Sequence, residues 1–435
     1  MSAQDSAPSF RVIVVGAGIT GLLVSHIFQK IGIDHVVLEK RKEVAPPEGA
    51  SIGIYPHAAR VLQQLGCLEA LAEACAPPGR WIMRRPDGKM ILDSGLFQHL
   101  EQNHGTGMFL LERRKYLQLI YDCLPDKGLI RTGCTVTDIQ HNATGVEVTL
   151  RNGEVESGDI IIGCDGAYSS VRNHMWKRAS EKSPGLITAQ EKRTMKTNFR
   201  ALIGMTSRPP DTAENDLYSN FGDKRSFLGL LTPKDMFYSF FFRLDETLVW
   251  PRRATYTEQD AEALAESVLD YPVSDTLLFG DIWKGRTRGF LLPLEEGLLE
   301  HWYYDRIVLT GDASLKITPN IGLGGNSGME SVVVLCNHLH KMLQRTPPGQ
   351  KPSLSAIKDA FEGYQNERLP RAREVLALSG QVLRMQSGES LPYKVLANDI
   401  LPWVPDKVIA SQFGDFIVQA PKLDFLDASG FLRGN

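Results

Sequence analysis

The chain has 435 residues, 43% hydrophobic and 23% charged, with a formal net charge of -3. That length can bury a large core and suits two domains sharing an interface, while the slightly acidic balance supplies no basic field for a phosphate backbone, so nucleic acid is not an expected partner and small molecules are. The six cysteines, Cys67, Cys75, Cys123, Cys134, Cys164 and Cys336, show neither C-x-x-C pairing nor regular spacing, and Met1 to Pro8 has no apolar core flanked by positive charge, which leads to the expectation of a reduced, cytoplasmic setting with no bound metal.

In chain order, residues 11–40 read as strand, tight turn, apolar helix ("ITGLLVSHIFQKIG") and second strand ("HVVLEK"), one βαβ unit of a parallel sheet. Helical periodicity follows at 57–75 and 110–124, then a strand, "DIIIGCDG", at 159–166. Residues 181–196 read as an exposed loop. From about Phe199 to Phe290, short aromatic and β-branched runs separated by turn residues ("FRALIGM", "FLGLL", "MFYSFFFRL") predict an antiparallel sheet covering a pocket. "RIVLTGDAS" at 306–314 returns to the strand-then-glycine pattern, and 326–345 is helical. A nucleotide domain is therefore expected to be interrupted by a substrate domain. No apolar run approaches the roughly 20 residues that span a bilayer, but 391–420 is a Pro-broken, amphiphilic stretch able to pack on the domain or rest on a membrane surface.

The turn in "RVIVVGAGITG" carries Gly16, Gly18 and Gly21 as G-x-G-x-x-G. The first glycine permits the tight turn, the second lets backbone N–H groups approach a pyrophosphate, and the third lets helix pack closely on strand; the helix N-terminus favours the phosphate charge. Glu39 closes the second strand, where a carboxylate can accept both ribose hydroxyls and repels a 2′-phosphate. These residues indicate the adenosine of FAD or NAD and do not choose between them.

"GCDGAYSSVR" at 163–172, "RIVLTGDASLKITPNIGLGGN" at 306–326 and "ERRKYLQ" at 112–118 resemble the D-G motif, the G-D motif and the phosphate-reaching helix of class A flavoprotein monooxygenases. "HVVLEKRKEVAPPEGASIGIYPHAARVLQQLG" at 35–66 and "PLEEGLLEHWYYDRIVLTGD" at 293–312 look like the fungal subgroup that contains the paxilline-type indole diterpene and meroterpenoid epoxidases. The resemblance implies an α/β fold: a Rossmann-like FAD-binding domain of the para-hydroxybenzoate hydroxylase type, an inserted, mostly antiparallel β-sheet substrate domain, and a C-terminal helical segment. It divides the chain into FAD-binding parts at 9–80, 111–180 and 300–346, substrate-domain strands at 81–110, the substrate sheet at 197–292 and a helical region at 354–435. It places Glu39 on the adenosine ribose, Gly53 beside the flavin, Arg113 at the pyrophosphate, Asp165 of the D-G turn among the cofactor-binding residues, Asp312 on the ribityl hydroxyls and Gly325 in the loop against the ring. Each residue type suits its task, since carboxylates accept from hydroxyls, guanidinium pairs with phosphate, and glycine admits a flat ring. The chain departs from the family pattern at Leu315, Leu323 and Ser331, where His, Gln and Asp are usual.

For activity, the resemblance implies that NADPH transiently reduces FAD and that dioxygen then forms a hydroperoxyflavin, one oxygen atom passing to an apolar small-molecule substrate. The expected reaction is epoxidation of an alkene in a prenylated meroterpenoid or indole terpenoid of fungal secondary metabolism. Hydroxylation of an aromatic or indole substrate is a variant, and a non-redox isomerase or cyclase is the rival motivated by Leu315 and Leu323. "FYSFFF" at 237–242, with Trp250, suits an apolar substrate. Strand alternation sets Arg200 and Leu202 opposite Phe199, Ala201 and Ile203, so Arg200 is a candidate to orient a polar substrate group, and Tyr218 a candidate hydrogen-bond donor. His301 reads as a satisfied histidine.

Overall fold

The structure is a computed structural model, and it describes residues 10–47, 49, 51–75 and 77–427. The apolar run Arg11–Val15 is the centre of a six-stranded sheet, paired in parallel with Asp34–Leu38 on one side and Ile160–Gly163 on the other. Ile307–Leu309 and Ile130–Arg131 extend the parallel set, and Tyr303–Tyr304 closes one edge antiparallel. Strands buried on both faces read as unbroken β-branched runs, and Val12, Ile13 and Val14 are fully buried. Helix Ile19–Ile31 covers one face, stopped by Gly32 in the left-handed conformation at φ 71°.

An eight-stranded sheet stands opposite this nucleotide-type layer. Its order is Leu315–Lys316, Arg286–Leu298, Lys196–Ser207, Asp235–Val249, Arg225–Leu231, Leu217–Phe221, Trp81–Arg84 and Met90–Ser94. The aromatic and β-branched segments between 199 and 290 therefore do form an antiparallel sheet, and two strands from before residue 100 join it. The same stretch also contains helices Glu258–Glu266 and Phe279–Lys284, which alternation alone did not indicate. They seal the far face of the sheet, burying Phe240 against Phe279 with ring centroids 4.9 Å apart.

One further expectation is corrected. The segment 110–124 opens as strand Phe109–Glu112, paired antiparallel with Ser51–Ile54 so that Leu110 lies opposite Gly53, before helix Arg113–Asp122 begins; four residues of largely apolar sequence match either period until a partner strand is present. Within 181–196 most residues are exposed, as expected of a surface connection, while Ile187, Glu191 and Met195 are buried and pin it to the body of the protein.

Helix Leu323–Arg345 packs on helix Leu354–Gln386 and on helix Ile19–Ile31. The long helix reaches the eight-stranded sheet, where Leu383 contacts the cluster of Phe199, Ala201 and Phe241. Helix Asp406–Val418 packs against helix Leu96–His104, while Leu391 and Trp403 are 73% and 84% exposed. No helix of the described residues is long and apolar enough to cross a membrane.

Candidate active site

The glycine turn is built as its spacing requires. Gly16 has φ +102°, and a Cβ there would stand 2.6 Å from the Cys164 carbonyl oxygen; a Cβ on Gly21 would stand 1.8 Å from the Gly16 oxygen. These two glycines are demanded by the fold itself. Gly18 differs: its backbone is ordinary, at φ -75°, and nothing lies within 4 Å of an added Cβ. The space in front of it opens into a cavity of about 460 Å³.

Glu39 is 6% exposed. One carboxylate oxygen accepts from the Ala17 N–H at 2.8 Å and the other from the Arg41 N–H at 2.9 Å. The second strand is thus tied to the glycine turn through a buried carboxylate, which is not itself among the residues lining the cavity.

The cavity brings Gly18, Gly53, Arg113, Asp312 and Gly325 to one surface, although they span more than 300 positions of the chain. Asp312 accepts from Lys316 Nζ at 2.5 Å, and Lys316 lines the cavity too. Asn326, fully buried, holds the Gly53 strand and the Gly322 turn in register: its Nδ2 donates to Gly53 O at 2.7 Å and Gly322 O at 2.8 Å, and its Oδ1 accepts from Tyr55 N at 2.9 Å. Tyr55 donates its hydroxyl to Ile321 O at 3.0 Å, and burial raises its phenol above the ordinary value. Tyr55, Lys316 and Asn326 lie within the motif segments, but the glycines and acidic residues carry the motif pattern, so the tasks of these three emerge only from the structure.

Asp165 is not directed into the cavity. Its carboxylate accepts from Ser169 Oγ at 2.5 Å, Ser170 N at 2.6 Å and Val171 N at 3.1 Å, so it caps helix Ser170–Lys182. Its neighbours Cys164 and Gly166 are the cavity residues. Arg172, buried at the end of the same motif, donates to Ala313 O at 3.0 Å and Ala167 O at 2.7 Å, joining the D-G turn to the G-D loop. Burial lowers its guanidinium to about 10.

Arg200 and Tyr218 are corrected as pocket residues. The cavity takes Ile203 and Leu217 from their strands. Arg200 lies on the other face, over the Tyr256 ring at 5.8 Å from its centroid, and Tyr218 packs in the far-side cluster with Phe227 and Phe240. The aromatic run is likewise divided by its period of two: Tyr238, Phe240 and Phe242 face the far-side helices, whereas Ser239 faces the cavity. Trp250 donates Nε1 to Glu295 at 3.0 Å behind the cavity wall. The floor is nevertheless apolar, formed by Ile203, Leu217, Leu228, Leu230, Phe290 and Leu292.

The departures from the family pattern are packing positions. Leu315 is 5% and Leu323 1% exposed in the main core, and buried Ser331 donates its hydroxyl to Ser327 O at 3.0 Å and accepts from Arg368 Nε at 3.2 Å. None of the three lines the cavity. His301 Nδ1 lies 2.7 Å from Glu191, a satisfied pair away from the cavity.

The residues present fit FAD: an unobstructed glycine edge, Arg113 and Asp312 lining one cavity, a buried Glu39 bonded to the glycine turn, and a glycine loop backed by Ile52 and Ile19. Comparison with known proteins agrees. Residues 9–379 match the family described as FAD binding domain. FAD-dependent monooxygenase DEP2 of Alternaria brassicicola is 37% identical over 427 residues, covering 98% of this chain and 80% of that protein. FAD-dependent monooxygenase spyC of Aspergillus fumigatus is 34% identical over 425 residues, covering 97% and 89%. Klebsiella pneumoniae HpxO, solved with FAD and uric acid, superposes with TM-score 0.76 at 20% identity over 95% of this chain and 97% of that one, which establishes the shared fold. The chain belongs to the FAD binding domain family and is an FAD-dependent monooxygenase.

Proposed function

We propose that this monooxygenase serves fungal secondary metabolism, takes its electrons from NADPH, and transfers one oxygen atom to an alkene of a prenylated meroterpenoid or indole terpenoid. The observation that carries the reading is the two-sided cavity, with the cofactor cradle of Gly18, Asp312 and Gly325 on one wall and a hydrocarbon floor of Ile203, Leu217, Leu228 and Phe290 on the other. Bound FAD supplies the electron-accepting and oxygen-activating chemistry. The chain's own residues do the rest. The leucines and Phe290 bury the substrate and keep water from the reacting atoms, while Asn326 and Tyr55 fix the Gly53 strand against the Gly322 turn. Ring hydroxylation is the variant that the same floor accommodates.

The test is turnover of a prenylated indole or meroterpenoid precursor under ¹⁸O₂. The expected product gains one labelled oxygen and loses one alkene signal, with one NADPH consumed per product. A product formed without oxygen would replace this reading with the isomerase or cyclase. A peripheral membrane contact belongs to the same reading, motivated by exposed Leu391, Ile400 and Trp403; co-sedimentation with phosphatidylcholine vesicles that Trp403→Glu abolishes is the expected result.

A further inference from the structure

The hydrocarbon floor carries a single serine at its centre. Strand register sets Ser239 directly opposite Ile203 on one side and Leu228 on the other, and Ile203 in turn opposite Phe290. Alternation puts Phe237 and Phe241, two positions away along the strand, on the same face. Every neighbour of Ser239 on that face, lateral or axial, is therefore hydrocarbon. Side chains opposed across strands stand about 5 Å apart, so none of these residues can accept or donate to the hydroxyl.

Among the described residues, Ser239 makes no side-chain hydrogen bond, yet it lines the cavity. Elsewhere in the sheet Ser219 accepts from Trp81 Nε1 at 2.7 Å and Ser226 is buried without a hydrogen-bond partner, and Ser239 differs from both in facing the cavity. A β-branched or aromatic residue would pack better at the middle of such a floor, and a hydroxyl enclosed without a partner is destabilising once water is displaced.

We propose that Ser239 is the specificity-determining anchor of the substrate, hydrogen-bonding one oxygen or ring N–H carried by an otherwise hydrocarbon molecule. The occupant is thus a terpenoid that already bears a polar group, and the reaction preceding this one must leave that group in place. This inference rests on the apolar-substrate reading above and deepens it.

Equilibrium dialysis of the FAD-loaded protein with farnesol and with β-farnesene, which have closely similar carbon skeletons with and without a hydroxyl, separates the two. The wild type is expected to prefer farnesol by about 3- to 10-fold, the scale of one hydrogen bond. Ser239→Ala abolishes that preference, and Ser239→Thr, which keeps the hydroxyl, retains it. Flavin absorbance per protein reports that each variant is folded and loaded. Equal binding of both probes by the wild type, an unchanged preference in Ser239→Ala, or loss of preference in both variants would overturn the anchor. Binding of neither probe by the wild type would instead overturn the apolar-substrate reading itself.

Discussion

Three glycines in one motif have separable tasks. Gly21 is required by the fold, because a Cβ would meet the Gly16 oxygen at 1.8 Å; at Gly18 nothing in the protein lies within 4 Å of an added Cβ, so the fold makes no such demand there. Gly21→Ala is expected to destabilise the apoprotein by about 1–3 kcal/mol, read from urea unfolding. Gly18→Ala should leave that unfolding midpoint unchanged while weakening FAD at least about tenfold, or ~1.4 kcal/mol, by fluorescence titration. At His57, burial lowers the imidazole to about 4, although Glu330 lies 3.4 Å away, and Arg371, Arg60 and Arg368 oppose its charge. The unfolded chain binds the proton first, so this contribution is complete above the ordinary value of about 6.5 and is lost as pH falls toward 4, about 3 kcal/mol in all. Urea midpoints at pH 7 and pH 5 are expected to fall more for the wild type than for His57→Gln. An equal fall would show that other groups carry the acid sensitivity. The glycine tasks were legible because turn chemistry is local; the His57 environment was not, because its partners come from 273 or more positions downstream apart from Arg60.

At the level of elements, the D-G motif was recognisable as a motif, but the task of its aspartate was decided by geometry. Asp165 accepts from the first N–H groups of helix Ser170–Lys182, so Asp165→Ala is expected to cost about 1–2 kcal/mol of stability, measured in urea, while the FAD dissociation constant moves less than about threefold. The strand Lys196–Ser207 shows the complementary limit. Its alternation correctly separated Arg200 from Ile203, but period-two patterning has no sign: it tells which residues share a face and not which face meets the cavity. Helices Glu258–Glu266 and Phe279–Lys284 settle that sign by covering the Arg200 side, and the aromatic rings of 237–242 follow the same division.

Across the whole molecule, the cradle draws on the glycine turn, the Ser51–Ile54 strand, Arg113, the G-D loop and the start of helix Leu323–Arg345, so cofactor binding should tighten segments far apart in the chain. FAD at about 100 times its dissociation constant is expected to add about 2.7 kcal/mol of stability, seen as a concentration-dependent rise in the melting temperature; a melting temperature indifferent to FAD would remove the shared cradle. The α/β class, the glycine turn and the chain's kinship with flavin monooxygenases were all determined by sequence alone, because each depends on short-range spacing that a helix or a strand repeats faithfully. Tertiary structure alone decided that Asp165 caps a helix, that Leu315 and Leu323 are core, that Arg200 and Tyr218 turn away, and that Ser239 is left by itself on a hydrocarbon floor. The reason is physical: which face of a sheet is covered, and which polar group finds a partner, depends on contacts between residues hundreds of positions apart, and no local period encodes them.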